Sequence, residues 1–174
     1  LFRAPPRHDE DVCEDVLPGE DVETYVVRVA RAKAEGGVQR LALRKLQRQP
    51  VLSADTTLEF QGEIIGKPDN AEHAGEILRR LSGQEHRVLT AVALAYGDRL
   101  DHRLSLSTVR FRAISEREIR RYIATGEPMD KAGAYGIQGF AAAFVAEIRG
   151  SYTGIMGLPL FETAQLLGEF GLIE

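Results

Sequence analysis

Two long strand-forming runs joined by a short turn constrain this fold more than any other feature. Arg87 to Tyr96 is rich in Val, Leu and Ala, and Leu104 to Arg112 predicts a second strand after Gly97-Asp98 turns the chain. The second run alternates imperfectly, so which of its faces is buried stays open. The chain is therefore expected to contain a sheet, and the segments around this pair of strands decide the fold class.

Four predicted helices interleave with the strands. Ser115 and Glu118 form a capping box, in which a hydroxyl and a carboxylate satisfy the free amides of a helix start. Asn70 is a suitable N-cap for an earlier helix, and Gly36-Gly37 is expected to end the first one. The predicted helices are Val22 to Glu35, Ala71 to Leu81, Glu116 to Thr125, and Leu160 to Phe170. Helices that alternate with strands predict an α/β fold, and adjacent hairpins predict a mixed sheet.

One of the shorter predicted strands ends at an aspartate. Val51 to Ala54 is mostly apolar and gives way to Asp55, whereas Thr57 to Phe60 and Glu63 to Ile65 predict a hairpin. Ligand sites in open α/β sheets collect where strands end. Asp55 is therefore a candidate site residue, although an aspartate there could equally cap the next turn. A further strand is predicted at Ala142 to Ile148.

Length and composition bound the function classes. A chain of 174 residues with 44% hydrophobic and 28% charged residues fits one globular domain. Its net charge of −4 argues against a broad nucleic-acid surface, but not against a nucleotide substrate. No apolar run approaches the roughly 18 residues of a membrane helix, and we expect no signal peptide. Cys13 is the only cysteine, which excludes an internal disulfide and fits a reducing cytoplasm.

The segment from Asp130 to Gly139 contains more polar, charged and glycine residues than a purely structural loop needs. It contains Asp130, Lys131, Gln138, a tyrosine and three glycines. Glycine lets the backbone approach a ligand closely, and a glutamine amide can read the edge of a base. The two charged residues could hold phosphate, a metal or each other. A tight turn with a surface ion pair explains the same residues, since glycine clusters alone are weak signals.

Lys33 lies on or beside the apolar face of the first predicted helix, four residues after Val29. Such a lysine either extends along the apolar surface to solvent or points into a site. Periodicity alone favours extension to solvent. The four histidines are scattered without the spacing of metal ligands, so we expect no histidine-based metal site.

Several motifs, taken in order, resemble the Maf family of nucleoside triphosphate pyrophosphatases. They are Ser53-Ala54-Asp55-Thr56-Thr57, Gly62 to Pro68, the segment from Asp130 to Gly139, Gly150-Ser151-Tyr152, and Gly157-Leu158-Pro159. The resemblance runs from about Glu14 to Gly171. It implies a two-lobed α/β fold with a cleft between the lobes, related to that of inosine triphosphate pyrophosphatases. The segment from Asp130 to Gly139 looks like the subgroup that acts on dTTP and UTP, because the branch that acts on 7-methyl-GTP has a different loop.

The resemblance implies a reaction and assigns roles in it. The chain would be a cytoplasmic enzyme that hydrolyses dTTP, UTP and modified pyrimidine triphosphates to the monophosphate and pyrophosphate. Asp55 matches the family's catalytic acid–base position, and Thr56 matches a position that selects the substrate. Lys33 and Lys67 match phosphate contacts. Judged without the resemblance, Thr56 is a β-branched strand residue and Lys67 is a surface lysine.

The resemblance also implies a divalent metal, Mg²⁺ or Mn²⁺, held by Glu14 and Asp55. Glu14 is similar to the Glu of the family's Asp-Glu motif, but Cys13 replaces the preceding acid. Glu10 and Asp11 lie close enough to leave that register open. A crowded acidic loop that is simply solvated remains the alternative for Glu14.

Base selection would fall to Gln138. Uracil and thymine present an acceptor, O4, beside a donor, N3–H, and a glutamine amide can match both. Lys131 and Asp130 would shape the pocket or contact phosphate. The expected partners are the nucleoside triphosphate and a second copy in a homodimer, with no nucleic acid and no membrane.

One family feature has no clear counterpart in this sequence. Family members usually begin with a strand, a Ser-x-Ser-Pro-Arg-Arg loop that contacts the triphosphate, and a helix, and Ala4-Pro5-Pro6-Arg7 is a poor match. We therefore expect residues 1–174 to form a single Maf-like domain that lacks these elements. A fragment, a misassigned start and a true loss are all open, and we favour truncation. A true loss would favour a rival function, that of a nucleotide-binding regulator of septum formation without turnover.

Overall fold

The computed structural model describes residues 12–174 and shows five strands in one sheet, with helices on both of its faces. The strands are β1 (Val51–Phe60), β2 (Glu63–Ile65), β3 (Glu85–Tyr96), β4 (Arg99–Phe111) and β5 (Val145–Arg149), in the spatial order β2-β1-β3-β4-β5. The helices are α1 (Val22–Leu43), α2 (Ala71–Leu81), α3 (Glu116–Ile123), α4 (Tyr152–Ile155) and α5 (Leu160–Glu169). Short 3-10 turns at Glu127–Asp130, Ala132–Ala134 and Phe140–Phe144 connect α3 to β5. The predicted α/β class is confirmed.

Strand direction differs from the mixed sheet that the sequence predicts. Every pairing between the strands of residues 12–174 is antiparallel. For two of the four pairings, the reason lies in the connections. Gln61-Gly62 joins β1 to β2 with φ values of 54° and 83°, and Gly97, at φ 62°, turns β3 into β4. Turns of two residues can join only antiparallel neighbours.

Asp55 lies inside a strand rather than at the end of one. The two short strands predicted on either side of it form the single strand β1, because β3 offers a continuous partner from Val51↔Ala95 to Glu59↔Arg87. β2 pairs only with residues 58–60 of β1. Among the described residues, positions 51–57 therefore have a strand partner on one side only, which leaves an open edge at Asp55 and Thr56.

Helix α1 continues through the glycine pair that was expected to end it. A Cβ atom at Gly37 would lie 2.5 Å from Cγ1 of Val51, whereas a Cβ atom at Gly36 would meet nothing within 4 Å. Gly37 thus lets the helix lie close against β1. The helix ends later, at Leu43, just before Lys45 adopts a φ of 51°.

The core has two layers because the side chains of β3 alternate between the faces of the sheet. Leu89 and Ala91 pack against α1 on one face, while Val92 and Leu94 pack against Leu166 of α5 on the other. The small alanines of β3 let α1 approach closely. A further apolar cluster surrounds α2, α3 and the turns before β5, including Leu58, Ile77, Leu78, Phe111, Tyr122 and Phe144.

The predicted helix caps are confirmed, whereas some strand boundaries differ from the prediction: β4 begins at Arg99 rather than Leu104. The side chain of Asn70 accepts a hydrogen bond from the His73 amide at the start of α2, and Ser115 and Glu118 form both bonds of the capping box. The strand predicted from Ala142 begins only at Val145, because the preceding turn buries Phe144 in the core. No helix within residues 12–174 is both long and apolar enough to cross a bilayer.

Candidate active site

A cleft of about 360 Å³ opens beside the free edge of β1, a volume typical of small-molecule sites. Its polar lining includes Asp55, Thr56, Thr57, Lys67, Asp130, Lys131 and Gln138. Its apolar walls include Leu58, Val88, Tyr135, Ile137, Ile155 and Met156. The structure therefore gathers predicted site residues from β1, from the connection between β2 and α2, and from the glycine-rich segment around one space.

Lys33 joins two carboxylates next to this cleft. Its Nζ donates a hydrogen bond to Oδ1 of Asp55 at 2.8 Å and lies 2.7 Å from Oε1 of Glu14. The side chains of Lys33 and Asp55 are only 16% and 12% exposed. The expectation from periodicity that Lys33 extends to solvent is therefore wrong, because its ammonium group points at the site residue Asp55.

Burial and pairing set the charge state of this cluster. Burial lowers the pKa of Lys33, but its hydrogen bonds with Asp55 and Glu14 outweigh that effect, so the net pKa is raised. Burial raises the pKa of Asp55 above its usual value, even though Lys33 opposes the shift. Lys33 therefore remains a cation at neutral pH, while Asp55 accepts a proton more readily than an exposed aspartate does.

Two side chains of α1 hold the acidic segment that carries Glu14. Arg28 donates from Nη1 to the Cys13 carbonyl at 3.1 Å and from Nη2 to the Asp15 carbonyl at 2.9 Å. Between them, the Tyr25 hydroxyl donates to the Glu14 carbonyl at 2.9 Å. Three successive carbonyls are thereby fixed to the helix that carries Lys33. This anchoring explains why the Glu14 carboxylate reaches the Lys33 ammonium although the segment itself is irregular.

Thr56 faces the opposite side of β1 from Asp55 and enters a hydroxyl chain. Its Oγ1 lies 2.9 Å from Oγ1 of Thr90, and Thr90 donates to the Gly154 carbonyl at 2.7 Å. Because Thr90 has one hydroxyl proton and gives it to Gly154, Thr56 must donate to Thr90. The free lone pairs of Thr56 are then available as acceptors at the cleft.

The charged residues of the glycine-rich segment form an ion pair at the rim of the cleft. Nζ of Lys131 donates to Oδ1 of Asp130 at 2.6 Å and to the Glu127 carbonyl at 3.0 Å. Lys131 lowers the pKa of Asp130, and Lys67 contributes in the same direction. The surface ion pair that the simpler interpretation expected is thus present, and both of its members line the cleft.

Gln138 is exposed at the cleft and directly follows a buried run from Gly133 to Ile137. The Tyr135 hydroxyl lies 2.8 Å from Nε2 of His86 inside the core. Gly133 has a φ of 71°, and a Cβ atom there would lie 2.4 Å from Cδ1 of Leu58. Its amide donates to the Gly66 carbonyl at 3.0 Å, which ties this segment to the one that carries Lys67.

Carboxylate oxygens suit a divalent metal at this site. Glu14 and Asp55 converge on one ammonium group, so both can reach one cation. No group of three or more His, Cys, Asp or Glu side chains in residues 12–174 is placed to hold a metal by itself. Mg²⁺ commonly takes only one or two carboxylates and completes its shell with water and substrate phosphates. The donor set therefore fits this cation. Glu10, Asp11 and Ala4-Pro5-Pro6-Arg7 lie outside the described residues.

Sequence reasoning missed the residues that hold the site rather than line it. Arg28 and Glu127 show no pattern that separates them from other surface charges. Thr90 did carry a signal, because it is the one polar residue within the apolar run of β3 from Val88 to Tyr96. Tyr122 reads as an ordinary core aromatic on α3, and its hydrogen bonds become visible only in three dimensions.

Comparison with known proteins identifies similar chains. A family model described as Maf-like protein matches residues 3–170. A dTTP/UTP pyrophosphatase of Aromatoleum aromaticum is 65% identical over 163 residues, which are 94% of this chain and 79% of that protein. Proteins with the same name from Dechloromonas aromatica and Nitrosomonas europaea are 57% and 55% identical, over 98% and 99% of this chain and 85% and 83% of their own lengths.

Proposed function

Because this chain belongs to the Maf family, we propose that it hydrolyses dTTP and UTP to the nucleoside monophosphate and pyrophosphate. One observation carries the proposal beyond the likeness to named enzymes. The ammonium group of Lys33 joins the carboxylates of Asp55 and Glu14, and Asp55 lines the same cleft as Gln138. The site therefore offers groups for phosphate chemistry and a group for base recognition within one space.

Asp55 would act as the general base. It would take a proton from the water that attacks the α-phosphorus, the bond between that phosphorus and the bridging oxygen would break, and pyrophosphate would leave. The raised pKa of Asp55, caused by its burial, suits a group that must receive a proton. Lys33 keeps the carboxylate oriented through the 2.8 Å hydrogen bond to Oδ1.

The triphosphate would be held by cationic side chains. Lys33 remains protonated beside its two carboxylates, and Lys67 and Lys131 line the cleft. Asp55 and Glu14 would hold Mg²⁺ or Mn²⁺, which when bound neutralises phosphate charge as it develops on the leaving group. These residues together meet the electrostatic demands of phosphoryl transfer.

Base selection would come from Gln138 with help from Thr56. The Gln138 amide can donate to O4 and accept from N3–H of uracil or thymine. Cytosine presents the reverse pattern, so an amide held in this orientation would face donor to donor and acceptor to acceptor, which costs binding free energy. Thr56 presents acceptor lone pairs because its proton is given to Thr90. The family resemblance also supports a cytoplasmic location and a homodimer.

Pyrophosphate release from a panel of nucleotides tests the proposed function. The panel is dTTP, UTP, CTP, GTP and 7-methyl-GTP with Mg²⁺, and release is expected to be selective for dTTP and UTP. Equal release from all five nucleotides would refute the assigned selectivity. If dTTP raised the melting temperature but no pyrophosphate appeared, the result would favour the regulator that binds without turnover.

A further inference from the structure

A tyrosine and a glutamate that the proposed chemistry does not use anchor the loop around Gln138. The Tyr122 hydroxyl donates to Oε1 of Glu127 at 2.9 Å and accepts from the Gly136 amide at 3.1 Å. Oε2 of Glu127 accepts from the Phe140 amide at 3.1 Å. The Glu127 carboxylate therefore accepts a hydrogen bond directly from the Phe140 amide. It is linked to the Gly136 amide through the Tyr122 hydroxyl.

These two amides flank the base-reading residue symmetrically. Gly136 lies two positions before Gln138, and Phe140 lies two positions after it. Both ends of a five-residue stretch are thus tied to the same carboxylate, while the Gln138 side chain in its middle is exposed at the cleft. The two anchors therefore fix the backbone position of Gln138, and they do so without directly contacting its side-chain amide.

The protonation state of Tyr122 sets the direction of the two hydrogen bonds that its hydroxyl forms. Burial raises the pKa of Tyr122, so its hydroxyl keeps its proton. Its one proton goes to the Glu127 carboxylate, and its oxygen accepts from Gly136. Phe140 also stacks on the Tyr122 ring, with centroids 6.1 Å apart and an angle of 20° between the rings. Tyr122 itself is fully buried, so the core holds its ring in place and the loop is anchored to a rigid group.

Two glycines of the segment serve this anchor. A Cβ atom at Gly139 would lie 2.1 Å from Oε1 of Glu127, and one at Gly136 would lie 2.9 Å from Cε of Lys131. Side chains at these positions would push Glu127 or Lys131 out of place. The glycines therefore make room for the carboxylate under the loop.

We propose that Tyr122 and Glu127 are positioning residues that set the pyrimidine selectivity of the enzyme through Gln138. A glutamine amide can turn over and pair with cytosine as well, so rejection of cytosine requires that Gln138 be held where only one order of its donor and acceptor meets the base. The Gly136 and Phe140 anchors supply that position. The inference rests on the proposed function and adds to it a structural cause for the choice of base.

Tyr122→Phe is the sharpest test, because it removes one oxygen from a fully buried ring and keeps the shape of the core. The measured quantity is the ratio of kcat/KM for dTTP to that for CTP. We expect this ratio to fall about tenfold, the size expected for one lost hydrogen bond. Glu127→Gln should lower the ratio as well, since its amide nitrogen cannot accept from a backbone amide. Glu116→Gln, which alters an exposed ion pair between Glu116 of α3 and Arg79 of α2, is the matched control and should leave the ratio unchanged.

A double-mutant comparison separates positioning from general damage to the fold. If Tyr122 acts through Gln138, Tyr122→Phe should lower the ratio in the wild type but produce no further fall in a Gln138→Ala background. An equal fall in both backgrounds, or no fall in the wild type, would overturn the inference. Failure of the wild type to hydrolyse dTTP or UTP would instead overturn the proposed function, and the selectivity role with it.

Amide hydrogen exchange in the free protein gives a second readout that needs no turnover. The Gly136 amide should exchange faster in Tyr122→Phe than in the wild type, because its acceptor is gone. The Gly133 amide, which donates to the Gly66 carbonyl in the same segment, is the internal control. Unchanged exchange at Gly136 would show that the hydroxyl does not anchor the loop.

Discussion

At the scale of single residues, the account depends on one ammonium group between two carboxylates. Lys33 lies within 2.8 Å of both Asp55 and Glu14, and its own side chain is largely buried. Without the lysine, the buried Asp55 carboxylate would face a second acid, Glu14, with no cation between them, which raises the free energy of its charged state. In the proposed mechanism, the lysine keeps Asp55 ionised and available as a base and also offers charge to a phosphate.

The pH profile of the enzyme should report this balance. Asp55 must be deprotonated to act as a base, and burial raises its pKa, so the acid limb of kcat/KM for dTTP should lie above pH 3.8, the usual aspartate value. Lys33→Gln removes the charge that opposes this shift, so the limb should move to higher pH. An unchanged or lower limb in Lys33→Gln would contradict the pairing, whatever happens to the maximal rate.

Which of these residues the sequence could reveal depends on how local their signals are. Asp55, Thr56 and Gln138 lie in short motifs that the sequence shows directly, and the cleft brings all three together. Glu14 and Lys33 could be named, but their meeting required the fold. Glu127 could not be found in advance, because its function depends on amides that follow it by nine and thirteen positions.

At the scale of elements, the closeness of α1 to β1 positions the cluster of Lys33, Asp55 and Glu14. Gly37 lies one helical turn after Lys33 and faces Val51 of β1, so the same face of the helix carries the close approach and the site lysine. The neighbouring Gly36 faces open space. The two glycines look equivalent in sequence and differ completely in environment.

Alanine substitutions at the two glycines should therefore have opposite effects. Gly36→Ala should stabilise the protein by about 0.5–1 kcal/mol, because alanine is the better helix former and nothing obstructs its methyl group. Gly37→Ala should destabilise it by about 1–3 kcal/mol through the clash with Val51. It should also lower turnover by moving Lys33 away from Asp55. Urea unfolding and pyrophosphate release measure both, and equal effects at the two positions would contradict the packing described.

Element boundaries were predictable where a local cap decides them. Asn70 and Ser115 start their helices as the sequence indicated, because capping involves neighbours three residues away. The end of α1 and the continuity of β1 were not predictable, since each is decided by a distant partner, Val51 in one case and β3 in the other. Tertiary packing overrides local propensity at both places.

At the scale of the whole molecule, a buried histidine couples stability to pH. His86 is 2% exposed, is ringed by Phe111 and Tyr135, and its burial lowers its pKa to about 4. In the unfolded chain the same ring titrates near its usual pKa of 6.5. The unfolded state therefore binds more protons between these values, and the folded state loses stability as the pH falls through that window.

This loss should be measurable as a difference between two proteins. Between pH 6.5 and about 4, the free energy of unfolding should fall through His86 by up to about 1.4 kcal/mol for each pH unit. His86→Gln keeps a hydrogen-bonding partner for the Tyr135 hydroxyl but does not titrate, so its stability should fall less steeply over the same range. Urea unfolding at several pH values tests this, and parallel curves for the two proteins would contradict it.

The active site draws on segments that are distant along the whole chain. The acidic segment around Glu14, α1, β1 and the loop before β5 meet only when α1 covers one face of the sheet and the loop closes over the other. A single sequence can indicate the α/β class from alternating elements. It cannot show that positions 51–57 have an open edge, because that depends on how far β2 extends along β1.

The most direct test compares pyrophosphate release from dTTP by the wild type and by Asp55→Asn, with dTTP binding followed by the shift in melting temperature. The substitution preserves size and removes only the charge and the ability to take a proton. We predict that the wild type releases pyrophosphate and that Asp55→Asn is at least about 100-fold slower, as expected when a general base is lost. Binding of dTTP, judged from the melting temperature, should persist in the variant. Near-full turnover by Asp55→Asn would contradict the assignment of Asp55 and with it the proposed mechanism.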